Sequence, residues 1–359
     1  MDGTEFMGPG PFGPPYIQDD LNRLAALGAN YVNISTAGLF TVQPPYTVDA
    51  EAVDSLDQLL EIAAAADLFA VITFRTGPGR SEFAIIGDEE WPPKNYIINT
   101  VWSDEPARQA WAGMWRFAAQ RYRDNPIVIG YDLMCEPNAN ALLDIWDAET
   151  FYAKYANTGY DWNSWYPGLV SAIRAVDTAT PILVGGNNYS SIEWIPYFKP
   201  VNDPHVVYTF HQYSPHEYTH QEPPDLKRTY PGRFDTNYDD QPETFDRAWL
   251  ENLLATAAEF SAKQNAPVMV NEFGVERWQP GAADFIRDEI DLFEEYGWNY
   301  AAWQWQPAWP PLADGDNSFN FRIGPAPEHL TDMNNALLSI YTVAWARNSI
   351  RPSNFMKHP

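Results

Sequence analysis

The sequence predicts an α/β chain closed into a (β/α)8 TIM barrel, a single domain over residues 1–359, on three observations. Eight short β-rich runs alternate with helical periods along the chain. Most of those runs are near-continuous apolar segments, as in strands buried on both faces of a parallel sheet. The long irregular segments, at 76–104, 212–244 and 306–328, all follow strands, whereas the links from helix back to strand are short. A barrel builds its functional face from the segments after its strands. An open doubly wound sheet is the structural alternative. No repeat, low-complexity block or linker divides the chain.

In chain order, strands are predicted at 3–7 (GTEFM, the weakest), 31–35 (YVNIS), 70–75 (AVITFR), 127–134 (IVIGYDLM), 182–186 (ILVGG), 206–211 (VVYTFH), 268–272 (VMVNE) and 300–305 (YAAWQW). Apolar periods predict helices at 17–27, 52–66, 105–122, 163–179, 245–264, 283–296 and 330–346. Gly28 and Gly297 stand where helix C-caps are expected, just before the next strand.

Composition narrows the function classes. The chain is 45% hydrophobic, enough for a packed core without disulfide staples. Its one cysteine, Cys135, excludes an intramolecular disulfide and a multi-cysteine zinc site. Asp and Glu number 48 against 22 Lys and Arg, a net charge of −26. Such a surface repels nucleic acid and anionic membranes; it reads as solubility, or as tolerance of high salt or low pH. No apolar run reaches the length of about 18 residues that a membrane helix needs, so neither nucleic acid nor a membrane is expected as partner. Residues 1–5 lack the basic and apolar regions of a signal peptide. Aromatic residues make up 15% of the chain, and their faces suit both core packing and stacking on sugars.

Four strand ends carry candidate chemistry. The run Tyr131-Asp132-Leu133-Met134-Cys135-Glu136-Pro137-Asn138 delivers Glu136 at the end of a buried strand, where Pro137 stops the ladder. The run Val268-Met269-Val270-Asn271-Glu272-Phe273-Gly274 delivers Glu272 in the same way. His211 and Tyr213, two apart, point to one side of a third strand end, and Trp303 and Trp305 share a face at a fourth. Singly, each has a plain structural explanation: a solvated or salt-bridged glutamate, a core histidine, a packed tryptophan. Two carboxylates at separate strand ends of one barrel, among aromatic residues, are what glycoside hydrolysis needs.

Together these residues resemble the clan A glycoside hydrolases, most closely family 5, the cellulase and mannanase family. The resemblance runs from the first helix to the last and is most specific at Cys135-Glu136-Pro137, Asn271-Glu272-Phe273-Gly274, Phe210-His211-Gln212-Tyr213 and the Trp303 strand. It implies a (β/α)8 barrel that hydrolyses β-glycosides with retention. It implies Glu136 as acid/base, Glu272 as nucleophile, His211 and Tyr213 in contact with the carboxylates and the sugar, and Trp303 as floor of the subsite whose bond breaks. Three positions depart from the family pattern. Cys135 stands where the family has an Asn that bonds the sugar 2-hydroxyl. Asn33 stands where it has an Arg in the second strand, and Arg75 where it commonly has a His at the end of the third. Arg75 is expected to replace the missing arginine as partner of Glu272, and with Tyr213 to hold it ionised. Glu136, facing a second carboxylate in an aromatic pocket, is expected to keep a raised pKa.

Two further motifs point elsewhere. His216-Glu217-Tyr218-Thr219-His220 matches the H-E-x-x-H zinc signature, but prolines flank it and no apolar helical period surrounds it, so a solvated loop over the barrel mouth is expected. Gly8-Pro9-Gly10-Pro11-Phe12-Gly13 matches G-x-G-x-x-G, but its prolines remove the amide donors a phosphate needs, and it reads as a rigid loop.

The expected function is a retaining endo-β-1,4-glycanase of cellulase type acting on a β-linked oligo- or polysaccharide, with no metal and no organic cofactor. Cys135, Asn33, Trp303 and Trp305 are the candidate substrate contacts. A β-mannanase or exo-β-mannosidase is the alternative within the same chemistry, and a non-catalytic carbohydrate-binding protein the alternative outside it. The expected location is extracellular, with the leader absent from this chain and the cytoplasm left open; the sequence leaves the oligomeric state open.

Overall fold

The computed structural model describes residues 18–81, 97–305 and 317–355, and residues 2–7 in their backbone. Its strands are β1 (Asp2–Met7), β2 (Tyr31–Thr36), β3 (Phe69–Phe74), β4 (Val128–Asp132), β5 (Ile182–Val184), β6 (Val206–Gln212), β7 (Gly232–Phe234), β8 (Glu243–Phe245), β9 (Val268–Phe273) and β10 (Tyr300–Ala302). All but β7 and β8 close a parallel barrel in the order β1-β10-β9-β6-β5-β4-β3-β2. The eight predicted barrel strands are all present. The antiparallel β7–β8 ribbon, in the long segment after β6, was not anticipated.

The helices are α1 (Gln18–Ala26), α2 (Ala50–Ala65), α3 (Glu105–Tyr122), α4 (Ala139–Leu142), α5 (Ala148–Tyr155), α6 (Tyr166–Arg174), α7 (His216–Thr219), α8 (Arg247–Gln264), α9 (Ala282–Glu295) and α10 (Ala336–Trp345). Their ends follow local chemistry. Asp49 caps α2 by accepting from the Glu51 and Ala52 N–H groups, and Asp246 caps α8 through Ala248 and Trp249. Gly28 ends α1 at φ +106°, and a Cβ there would lie 2.7 Å from the Trp345 carbonyl carbon, so glycine also lets α1 approach α10. The predicted helix at 330–346 begins only at Ala336, behind the cap Asn335, and α4, α5 and α7 were too short to show a period. The stretch 8–13 and parts of the segments after β3 and β10 lie outside the described residues. No helix among the described residues is long and apolar enough to cross a membrane.

One apolar layer fills the space between barrel and helices. Inside the barrel, Tyr31, Phe69, Val71, Leu183, Met269 and Ala301 form a second, smaller apolar cluster. One strand step higher the interior turns polar. Asn33, Thr73, Asp132 and Asn271 are each at most 2% exposed. Thr73 Oγ1 donates to Asn33 Oδ1 and lies 3.2 Å from Asp132 Oδ2, and Asn271 Nδ2 donates to Asp132 Oδ2 at 2.8 Å. Asn33 Nδ2 closes the set by donating to Asn271 Oδ1 at 3.1 Å. Four strands are thus tied together by side chains immediately below the barrel mouth.

A buried carboxyl elsewhere reports on the same wall. Glu289 of α9 is fully buried with neither carboxyl oxygen in a hydrogen bond, and burial first, then the Asp288 charge, pushes its pKa well above the usual range. A group whose folded pKa is raised contributes its full stability below the ordinary carboxyl range and loses it as pH rises through the folded value. Glu289→Gln should therefore stabilise the fold at neutral pH by on the order of 1 kcal/mol, the scale of one poorly satisfied buried group. It should change little near about pH 3, more than a unit below the ordinary Glu value of about 4.3, where the acid is neutral in both states. Melting curves at both pH values check this; an equal change at both would contradict a neutral buried carboxyl.

Candidate active site

The C-terminal mouth of the barrel holds six of the residues singled out in the sequence, and the backbone brings two of them there by leaving regular strand geometry. In β9, Met269 and Asn271 point into the barrel, so regular alternation would send Glu272 outward. The strand carries one residue more than either neighbour: Val270 pairs with Phe210 and Phe273 with Gln212 on β6, and the same two residues span only Tyr300 to Ala302 on β10. This bulge returns Glu272 to the interior, opposite His211. Beyond β4 the Cys135 N–H still bonds to the Phe74 carbonyl at 3.0 Å, and then Glu136 turns to φ +53°. A non-glycine residue enters that region at a cost of about 1–2 kcal/mol, and such residues concentrate at functional sites.

The two carboxylates meet across His211. An oxygen of Glu136, an oxygen of Glu272 and a ring nitrogen of His211 all lie within 4.8 Å of one another. His211 Nδ1 lies 2.8 Å from Glu136 Oε1 and 3.7 Å from Glu272 Oε1. The imidazole is 3% exposed and its backbone N–H is pinned to the Ser190 carbonyl at 2.9 Å. Tyr213 donates its hydroxyl proton to Glu272 Oε1, and its ring is edged by His220 and Phe319. An oxygen–oxygen approach within 4.8 Å is compatible with the carboxyl spacing of roughly 5–5.5 Å that double displacement uses.

The electrostatics correct one expectation. Burial pushes the Glu136 carboxyl up, but the His211 hydrogen bond and charge, followed by the charges of Arg75 and Arg80, outweigh it and hold the group below its ordinary value. Sequence reasoning counted the second carboxylate and the aromatic surroundings against the contact with His211, gave the Arg75 charge to Glu272 alone, and did not include Arg80.

Arg75 follows β3 and places its guanidinium carbon 5.0 Å over the Trp303 ring, while its charge reaches Glu136. Trp303 is partly exposed at the end of β10. Trp305 is not in the mouth. It is 1% exposed, packs on Phe321, and lies under the Arg322 guanidinium at 4.2 Å, facing α1. The strand ends at Ala302, so the two-residue alternation that paired the tryptophans no longer applies. Asn33 is likewise corrected: fully buried, with both ends of its amide engaged, it belongs to the polar layer beneath the site. Cys135 is 1% exposed, and its carbonyl accepts from Arg80. The H-E-x-x-H run does form one helical turn, α7, with His216 and His220 stacked 3.7 Å apart. Among the described residues, however, the only group of three metal-capable side chains is Glu136, His211 and Glu272, so the zinc-protease arrangement is not built.

Three features escaped the sequence reading. Arg80 is fully buried and donates to the Arg75, Cys135 and Glu136 carbonyls; its signal was the tight Gly77-Pro78-Gly79 turn just before it. Asp132 was an acid inside an otherwise apolar strand. Tyr189 sits in a run of three left-handed residues, Asn188 to Ser190, with its N–H on the Pro137 carbonyl at 3.1 Å. Its ring stacks at 6.5 Å and 15° with Trp146, which is 57% exposed, and burial first, then the Glu136 charge, raises its pKa. A carboxyl beyond β9, Glu276, is pushed up to about 8, by burial first and by Glu222 next, but the donors on its Oε2 are Trp278 and Gln279.

Known proteins share this architecture. Endoglucanase C of Acetivibrio thermocellus is 25% identical over 281 residues, covering 70% of this chain and 72% of that protein. Among solved structures, Cel5A of Thermotoga maritima in complex with cellobiose superposes with a TM-score of 0.64 at 17% identity, covering 94% of this chain and 97% of that one. The same protein in complex with mannotriose gives a TM-score of 0.63 at 18% identity over 92% of each chain. Residues 2–308 match the family model of the cellulases, glycosyl hydrolase family 5, and the chain belongs to that family of glycoside hydrolases.

Proposed function

We propose that the protein is a retaining endo-β-1,4-glucanase, and the observation that carries this reading is the pair of strand-end carboxylates bridged by His211. Glu272, held by the Tyr213 hydroxyl, attacks the anomeric carbon. The bond to the leaving oxygen breaks as Glu136 gives that oxygen a proton, and a glycosyl-enzyme ester forms on Glu272. Glu136, now a carboxylate, takes a proton from water, which attacks the same carbon and frees Glu272. His211 Nδ1 lies 2.8 Å from Glu136 Oε1, so a proton shared by the pair reaches the leaving oxygen through Glu136. Trp303, backed by Arg75, gives the sugar ring an aromatic floor.

The Trp146–Tyr189 stack favours internal cleavage. It stands on the Glu136 side, where the leaving portion of the chain must lie, and an exposed aromatic face there offers a sugar a stacking surface. Cys135 favours a second reading, β-mannan cleavage. Glucose and mannose differ at the 2-hydroxyl, and a thiol is a weaker partner for that group than the family's amide. The related Cel5A, solved with both cellobiose and mannotriose, is consistent with a site of this architecture taking either sugar. Initial rates on β-glucan, β-mannan and their oligosaccharides, with product sizes, decide between the readings. Release of mixed-length products from β-glucan is the expected result; single-sugar release from chain ends contradicts internal cleavage.

Substitutions separate the roles. Glu272→Ala should lose nearly all turnover, with azide giving an α-linked glycosyl azide from the vacated position. Glu136→Ala should lose about 10²–10⁴-fold on substrates with poor leaving groups and much less on activated aryl glycosides. If both variants respond identically to leaving-group acidity, the roles are misassigned. Arg75→Met should lower kcat far more than KM if its cation serves the carboxylates; a change in KM alone would reduce Arg75 to a support for Trp303.

A further inference from the structure

Glu136 lies where the chain has already left its strand. The ladder of β4 ends at Asp132, the last backbone tie before Glu136 is the Cys135 N–H on Phe74, and Pro137, next in sequence, has no N–H to give and takes only the Tyr189 N–H on its carbonyl. The carbonyls on either side of the Glu136 Cα are held instead by one side chain. Arg80 Nη1 donates to the Cys135 carbonyl at 2.6 Å, and Nη2 donates to the Glu136 carbonyl at 2.8 Å. Nη1 also donates to the Arg75 carbonyl at 3.1 Å, which fastens the same fork to the end of β3. A planar guanidinium that grips two successive carbonyls fixes the rotation of the residue between them, and here that residue is in the left-handed region.

Arg80 is itself tightly held. Gly77 and Arg80 exchange backbone hydrogen bonds of 3.0 and 2.9 Å across a turn in which Gly79 has φ +72°. The Trp111 indole donates to the Pro78 carbonyl at 2.8 Å, and a Cβ on Gly77 would lie 2.7 Å from that indole. The turn is therefore wedged against α3, and the fully buried guanidinium has one direction to take.

We propose that Arg80 is a positioning residue for Glu136: its fork sets the peptide planes around Glu136, and through them the direction in which the carboxyl meets the leaving oxygen. The proposal rests on the reading of Glu136 as acid/base. It separates geometry from charge, because lysine keeps the charge and loses the fork.

The test compares Arg80→Lys and Arg80→Gln with wild type and with Glu136→Ala. The substrates are aryl β-cellobiosides of graded leaving-group pKa. Competent sites are counted by stoichiometric trapping with an activated 2-deoxy-2-fluoro glycoside, so rates refer to folded enzyme only. Both Arg80 variants should lose about 10²-fold in kcat/KM on the poorest leaving groups and less than about 3-fold on the best, a weaker copy of the Glu136→Ala pattern. An equal loss on every substrate, or a lysine variant equal to wild type, overturns the proposal. So does a failure of both variants to trap any site, which would assign Arg80 to the fold alone. If Glu136→Ala shows no leaving-group trend, the acid/base reading itself fails, and that result is distinct from a flat Arg80 series beside a steep Glu136 one.

Discussion

Two buried carboxylates with oxygens within 4.8 Å repel each other by about 3 kcal/mol at an effective dielectric constant of about 20. The site exists because the His211 imidazole is interposed between them, 2.8 Å from one and 3.7 Å from the other. That contact explains the depressed Glu136 carboxyl, and with the Tyr213 hydroxyl it supplies the hydrogen-bond donors facing the pair. It also makes the proton a property of the pair, so that Glu136 does not need a raised pKa of its own to begin as an acid.

Holding three side chains from three strands in that relation is a task for the backbone beneath them. The polar layer of Asn33, Thr73, Asp132 and Asn271 joins four strands below the mouth. The bulge in β9 falls at Asn271, within that layer, and turns Glu272 inward; the left-handed turn after β4 does the same for Glu136. Both devices put the chemistry on the end of a rigid strand, one residue outside its regular pattern. Arg80, buried under one of them, fits the same logic.

The sequence made the barrel legible because strands buried on both faces are written as apolar runs, as in AVITFR at 70–75, and all eight runs became barrel strands. Glu136, Glu272, His211, Tyr213 and Trp303 were legible as polar or aromatic residues at the ends of such runs. What alternation alone cannot give is where alternation stops. Trp305 was paired with Trp303 by counting twos past the end of β10, and Asn33 was assigned to substrate although its neighbours across the barrel fill its hydrogen bonds. The sign of the Glu136 shift and the part played by Arg80 depend on residues 55 to 75 positions away in sequence, which meet only after the barrel closes.

The central claim is that these carboxylates act by double displacement at the spacing His211 allows. Proton NMR of the first products formed from a β-1,4-linked cello-oligosaccharide, taken before mutarotation, tests it most directly. The account predicts that the new reducing end appears first as the β-anomer and then drifts toward equilibrium. First appearance of the α-anomer would mean that water attacks directly across a wider gap, and would contradict the account.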